Sequence, residues 1–346
     1  MKNKVIIHGS QYKDNFGDTL LVKVIMDNID DNYELYSSTA SDKVSFDLNI
    51  KRANLIDMIS AKYFIYGGGG YFGQPNNRVN KWSIRFIIRH GIVGIARRVL
   101  KKKYAFFGTG FGPLTHPLAS KIAGFILKGA DIVNLRDKES VQFASRLIEK
   151  DTINETADLV PYYISNNYVR KEEKKIILHM HLPVGDESRF RKIVDEYLIF
   201  RDKQLPEHEI VIISDSEDDI QQTWFFEILK SDYQEIKLSE YSSYNKTIEE
   251  LRGASFVVTN KLHVAIVASS MKIPVASIYM HNKTLRYFEQ LNRVGSAMSL
   301  EMLDEHSKLT DFFAHAYNSG LDIDAIETLS DKSELNIISL KEWCKS

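Results

Sequence analysis

Short apolar runs that end in small or polar residues recur along the chain and limit what it can fold into: "KVIIHG", "YFIYGGGG", "YAFFGTG", "DIVNLRD", then "KIILHMH", "EIVIISDS", "FVVTN" and "PVASIYMH". Helix-length segments separate them. Runs of this kind read as strands of parallel βαβ units, with each carboxyl end opening onto a crevice where a ligand can sit. Between the two sets lies "SNNYVRKEEKK", residues 165–175, polar, charged and without a period, which reads as a linker. A chain of 346 residues exceeds what one hydrophobic core comfortably serves. The expected fold class is therefore α/β, with two Rossmann-like domains facing a cleft. The first spans 1–165 and the second 174–300. Amphipathic helices over 301–346 are expected to return to the first.

Charge and cysteine usage exclude some function classes. With 45 Lys and Arg against 46 Asp and Glu, nothing global favours nucleic acid, so an anion site has to be local. The one cysteine, Cys344, permits neither an intramolecular disulfide nor a cysteine-based metal cage, in keeping with a reducing cytoplasm. "MKNKVIIHGS" has too short an apolar run for a signal peptide and reads as the first strand. No stretch reaches the ~18–20 apolar residues of a membrane span. The expectation is a cytoplasmic protein.

Glycine supplies two permissive loops at consecutive strand ends. The tetraglycine that contains Gly68, Gly69 and Gly70 follows one strand, and "GTGFGPL", with Gly110, follows the next. Such loops let backbone N–H groups approach a phosphate, a carboxylate or a sugar; a tight turn packed on a helix uses glycine equally well. Neither carries a dinucleotide fingerprint or a P-loop. In "NFGDTLL", Asp18 is placed to cap a helix starting at Thr19, with Asn15 and Asp18 near sugar hydroxyls as the functional alternative. In "ADIVNLRDKES", Asp137 caps a helix and Arg136 projects from a strand end, where a guanidinium can grip a carboxylate or phosphate or simply pair with a neighbouring acid.

"TNKLHVAIVASSMK" reads as a helix with Lys261 and His263 at its start, and "HNK" puts Lys283 beyond the next strand. A helix N-terminus, a histidine and a lysine together make an anion pocket, and a histidine there can also move a proton. "LHMHLP" puts His179 and His181 on one face of a strand, but no further ligand stands at a metal-binding spacing, so His181 is expected to line the cleft and no metal is expected. "KWSIRFIIRHGIVGIARRVLKKK", residues 81–103, mixes apolar residues with eight Lys or Arg. It fits first a helix covering the sheet with a solvated basic face, and as the alternative a helix lying on an anionic membrane surface.

In their order, "NFGD", "GGGG", "GTGFGPL", "LRDKES", "ADLVP", "KLH" and "IPVASIYMHNKTLRYFEQL" resemble the polysaccharide pyruvyl transferase family over residues 9–292. The resemblance implies a GT-B-like architecture and transfer of pyruvate from phosphoenolpyruvate to two hydroxyls of one sugar, forming a ketal without a cofactor. It implies that 1–165 is the acceptor side and 174–300 the donor side, and it places donor binding on Arg136, His263 and Lys283. It also puts Lys261 where the family usually has arginine, so a bidentate grip is lost there. For that reaction His263 would supply the methylene proton or protonate the departing phosphate, and Asp18 would accept a proton from a hydroxyl. The acceptor implied is a sugar or a lipid-linked oligosaccharide of a cell-surface polysaccharide, met at the inner face of the membrane. Competing readings are a GT-B nucleotide-sugar glycosyltransferase and a non-catalytic sugar-binding protein. A dehydrogenase fits less well, because no G-x-G-x-x-G opens either domain.

Overall fold

The computed structural model describes residues 2–12, 14–183, 185–216, 220–303 and 309–346, with side chains undescribed at 220–222. It divides into two compact units. The first comprises Met1–Asp14, Asp18–Val160 and Asp331–Ser346, and the second Asn15–Gly17 and Pro161–Ser330.

Among the described residues, the first unit carries β1 (Asn3–His8), β2 (Tyr33–Ser37), β3 (Lys51–Arg52), β4 (Tyr63–Tyr66), β5 (Gly69–Phe72), β6 (Tyr104–Phe111), β7 (Ile132–Leu135) and β8 (Asn154–Glu155). Their order is β3-β2-β1-β4-β6-β7-β8, with β5 paired to β6, and every pairing is parallel. β4 and β6 are buried at every residue, which is why they are apolar and aromatic rather than alternating. Tyr66 stacks on Phe106 with ring centroids 4.4 Å apart, and Phe72, Phe86 and Phe111 close the same core. The terminal residues of the chain are fastened within this unit: buried Asn336 accepts from Gly108 N (3.0 Å) and donates to Ala157 O (3.0 Å), and Trp343 donates to Asp131 (2.9 Å).

The second unit carries β9 (Lys175–His179), β10 (Glu209–Ile213), β11 (Lys237–Ser239), β12 (Ala254–Thr259), β13 (Val275–Tyr279) and β14 (Ala297–Ser299), in the order β11-β10-β9-β12-β13-β14 and again all parallel. Phe190, Tyr197, Phe200, Phe256 and Phe313 fill one face of its sheet. In both sheets the order reverses beside the first strand, between β1 and β4 and between β9 and β12. Ligands of open parallel sheets bind outside the carboxyl ends of strands at such a reversal.

Three local expectations need correction. The helix after β1 runs Phe16–Met26, so Asp18 sits within its first turn rather than capping it; Asn15 Oδ1 instead accepts from Gly17 N (3.1 Å). The tetraglycine is half strand: Gly69 and Gly70 open β5, and Gly69 has φ +111°, a conformation that costs a side-chain-bearing residue dearly. β9 ends at His179, so His181 lies past the strand rather than on a shared face. Its backbone is tied to Asn260, whose side chain accepts from His181 N (3.1 Å) and donates to His181 O (2.6 Å).

Candidate active site

In the second unit the cationic residues gather at the carboxyl edge of adjacent strands β12 and β13. Lys261 is the N-cap of helix Leu262–Ser270, which puts His263 in the first turn, and His281 is the N-cap of helix Asn282–Gln290, which puts Lys283 in the first turn. Neither N-cap side chain bonds the first-turn N–H groups, whereas Asp137 does so for helix Lys138–Ala144, accepting from Ser140 N at 2.7 Å. Two positive helix ends thus start with a lysine and a histidine in place of the usual Ser, Thr, Asp or Asn, and a second lysine, Lys283, stands in the first turn of the latter. That arrangement is unfavourable until an anion joins it. Burial, then Lys283, then Lys261, lower the pKa of His281 below the ordinary histidine value, which places all three in one field.

Among the described residues a carboxylate that the sequence did not single out, Asp215, stands against this charge. Asp215, just past β10, is buried; its Oδ2 lies 3.4 Å from Lys261 Nζ and accepts from Asn15 Nδ2 (3.2 Å), and its Oδ1 lies 3.7 Å from His179 Nε2. Burial alone would raise its pKa, but Lys261 and His179 hold it well below the usual carboxylate range. His179 Nδ1 in turn meets Thr259 Oγ1 (2.9 Å), so the pair bridges the reversal between β9 and β12. The Asp215 backbone carbonyl accepts from Phe16 N (2.8 Å) and Asn15 forms a bridge with Ser216, which explains why residues 15–17 group with this unit. Gly17 is forced by His263: a Cβ on it would stand 2.0 Å from His263 Nδ1.

In the first unit a second group forms around Arg136, which follows β7 and is buried. Its Nε donates toward Asp137 Oδ2 (3.4 Å) and its Nη1 lies 3.7 Å from Asp158 Oδ2. The expected strand-end arginine is present, but two carboxylates hold it. Gly110 lies under the guanidinium, where a Cβ would come within 2.8 Å of Cζ, and a Cβ on exposed Gly70 would be 3.7 Å from Nη2. Asp18 Oδ1 would be 3.9 Å from a Cβ on Gly69. Gly68 faces Leu21 and Leu159, a packing position. The structure thus brings Asn15, Lys261, His263 and Lys283 into the second unit and Asp18, Gly69, Gly70, Gly110 and Arg136 into the first. Among the described residues no group of three or more His, Cys, Asp or Glu is placed to hold a metal ion.

Comparisons with known proteins bear on this geometry. A family model described as polysaccharide pyruvyl transferase matches residues 9–282. A search of curated protein sequences returns no match. Among solved structures, the UDP-GlcNAc 2-epimerase of Methanocaldococcus jannaschii superposes with a TM-score of 0.63 at 14% identity, covering 97% of this chain and 99% of that one. The UDP-GlcNAc 2-epimerase of Neisseria meningitidis bound to UDP-GlcNAc gives 0.60 at 12% identity, over 98% and 99%. Anabaena HepE in complex with UDP and glucose gives 0.55 at 8% identity, over 98% and 97%. At such identities the likeness is one of fold, and that fold is GT-B-like, with two Rossmann-like domains.

Proposed function

Because the chain belongs to the polysaccharide pyruvyl transferase family, we propose that it transfers pyruvate from phosphoenolpyruvate to two hydroxyls of one sugar in a cell-surface polysaccharide or its precursor, forming a ketal and releasing phosphate. The observation that carries the donor assignment is the pair of helix starts led by Lys261 and His281, with His263 and Lys283 in their first turns. Phosphoenolpyruvate brings a carboxylate and a phosphate, the two groups that such helix ends and cations favour.

The residues divide the work as follows. Lys283, Lys261 and the first-turn N–H groups hold the donor anions, and Arg136 is a further donor cation, oriented by Asp137 and Asp158. Protonation of the methylene carbon turns C2 into an oxocarbenium-like centre. One sugar hydroxyl attacks C2 and loses its proton; the C2–O bond to phosphate breaks; the second hydroxyl then attacks. The two hydroxyl protons are balanced by one carried to the methylene, which becomes methyl, and one carried off with phosphate. His263 is the proposed donor of the first proton, Asp18 the proposed acceptor from a hydroxyl, with Asn15, Gly68, Gly69, Gly70, Gly110 and His181 lining the acceptor and loop positions. No cofactor enters this scheme. Cytoplasmic phosphoenolpyruvate and a sugar or lipid-linked oligosaccharide acceptor fit it.

Thermal unfolding of wild type and Lys283→Ala with phosphoenolpyruvate tests the donor. A ligand at ~100 times its Kd stabilises by about 2.7 kcal/mol. A midpoint raised in wild type and unchanged in the variant supports the reading. A second reading, a nucleotide-sugar glycosyltransferase, is favoured by the UDP-GlcNAc bound to one structural neighbour and the UDP and glucose bound to another. Stabilisation by a nucleotide sugar and none by phosphoenolpyruvate would replace the first reading with the second.

A further inference from the structure

We propose that one helical face of the first unit docks onto an anionic lipid bilayer. From Met58 to Ala130 the chain has twelve Lys and Arg and no Asp or Glu, in a protein whose net charge is -1. The cations are concentrated, not balanced.

The segment folds as helix Val79–Phe86, a π-helical turn Ile87–Gly91 and helix Ile92–Val99, packed beside helix Pro117–Leu127. Gly91 and Gly94 allow that approach: a Cβ on them would stand 3.1 Å from Ile122 and 2.7 Å from Ile126. Residues four apart drift around an α-helix, and the wider π turn offsets the drift, so Ile84, Ile88 and Ile92 stay in one row. That row faces water: Ile84 is 61% exposed and Ile88 59%. Leu118 (53%) and Phe125 (40%) extend it onto the neighbouring helix. Arg98 lies over the Phe125 ring, 3.9 Å from its centroid, joining the two helices.

Of the basic residues among these apolar ones, Arg98 is engaged with Phe125 and Arg89 with the Tyr12 ring, while Lys81, Arg85, Lys121 and Lys128 are exposed. Among the described residues, Lys81, Arg85, Arg89, Arg98, Lys121 and Lys128 form no ion pair. Exposed isoleucine and phenylalanine among unpaired cations match the boundary of an anionic membrane, where apolar side chains enter the acyl edge and Lys and Arg meet headgroup phosphates. No helix among the described residues is long and apolar enough to cross a membrane, so the contact lies on the surface. The absence of any acid in the patch favours a bilayer over a second copy of the chain, which would have to meet like charge with like across a two-fold axis.

The test needs no substrate and so stands apart from the proposed transfer reaction. The full-length protein is sedimented with sucrose-loaded vesicles of phosphatidylglycerol and phosphatidylcholine, and with phosphatidylcholine alone. The expected result is pelleting with the anionic vesicles only, weakened at high salt. It should fall at least tenfold in Ile84→Ser/Ile88→Ser/Leu118→Ser and in Arg85→Ser/Lys121→Ser/Lys128→Ser, with circular dichroism and unfolding midpoint unchanged because every altered side chain is exposed. Equal pelleting with neutral vesicles, or undiminished pelleting of either variant, overturns the proposal. So does a dimer in light scattering that the apolar variant dissolves, which would make the occupant a second copy.

Discussion

The Asp215 carboxylate lies 3.4 Å from the Lys261 ammonium and is far more buried than its partner, with side-chain exposures of 4% and 34%. The two members of this pair are therefore not equivalent. Removing Lys261 strands a buried anion, whereas removing Asp215 leaves a lysine that can turn to water. Lys261→Met is expected to cost about 3–5 kcal/mol of stability. Asp215→Asn, which keeps the shape and an acceptor for Asn15, is expected to cost about 1–3 kcal/mol. Urea unfolding of both variants checks the order. Equal losses, or a greater loss for Asp215→Asn, would show that the burial asymmetry does not govern this pair.

A second pair sits deep in the first unit. His8 Nε2 meets His90 Nδ1 at 2.7 Å, and His8 Nδ1 meets Ser38 Oγ at 2.6 Å. Burial, and for His90 also the neighbouring Arg89, keeps both rings neutral: His8 lies well below the ordinary histidine pKa and His90 is lowered to about 3. The unfolded chain takes up these protons near 6.5, so stability is full above that pH, falls as pH drops, and for His90 stops falling near 3. At pH 4.5 each histidine should have cost roughly 2–3 kcal/mol relative to pH 7. Urea midpoints across this range should fall less steeply in His90→Gln, which keeps a hydrogen-bonding group but does not titrate. Parallel curves would refute the assignment.

Within the basic segment, Arg97 behaves unlike its neighbours. It is fully buried, and its guanidinium donates to Met58 O (2.9 Å), Ile59 O (3.3 Å) and Ala61 O (3.2 Å) at the carboxyl end of helix Leu55–Ser60. A cation there satisfies carbonyls that the helix leaves open. Arg97→Met should lose about 3 kcal/mol, while Arg85→Ser, at an exposed site, should stay within about 0.5 kcal/mol of wild type. Chemical unfolding of the two variants separates the structural cation from the surface ones.

The strands and their parallel pairing were legible because buried strands must be uniformly apolar, and "YFIY" or "VASIY" has no polar face to misplace. Asp137 as a cap was legible from its spacing to the helix it starts. Three features were not. Asp215 follows "IVII" like any strand-end acid, and its importance depends on Lys261 and His179, far away in sequence. Asp158 stands in "ADLVP", a stretch matched only as part of a resemblance, with nothing local to show that it reaches Arg136. The grouping of residues 15–17 with the second unit rests on a backbone bond from Phe16 to Asp215, which no side-chain pattern encodes. The start of the Phe16–Met26 helix is hidden for the same reason: Asp18 is a good cap residue, but tertiary bonding places the helix start ahead of it.

Gly17 offers the sharpest test of His263, because changing it leaves the imidazole in place chemically and disturbs only its position. A methyl at residue 17 would stand 2.0 Å from His263 Nδ1, 2.5 Å from Cγ and 2.8 Å from Cβ. The last distance matters most: Cβ cannot swing aside as a ring can, so either the 15–17 segment or the start of helix Leu262–Ser270 has to shift. At residue 110 the nearest atoms a methyl meets are in the guanidinium of Arg136, within 2.8 Å of Cζ and Nη2, so the strain falls on the end of a side chain and its two carboxylate contacts rather than on backbone or a Cβ. A displacement of about 1 Å in a proton donor can cost on the order of 100-fold in turnover. Gly17→Ala is therefore expected to lower kcat for phosphate release from phosphoenolpyruvate about 100-fold, with a smaller change in KM, whereas Gly110→Ala should lose tenfold or less. Turnover of phosphoenolpyruvate by Gly17→Ala at the wild-type rate would overturn the proton-donor role of His263.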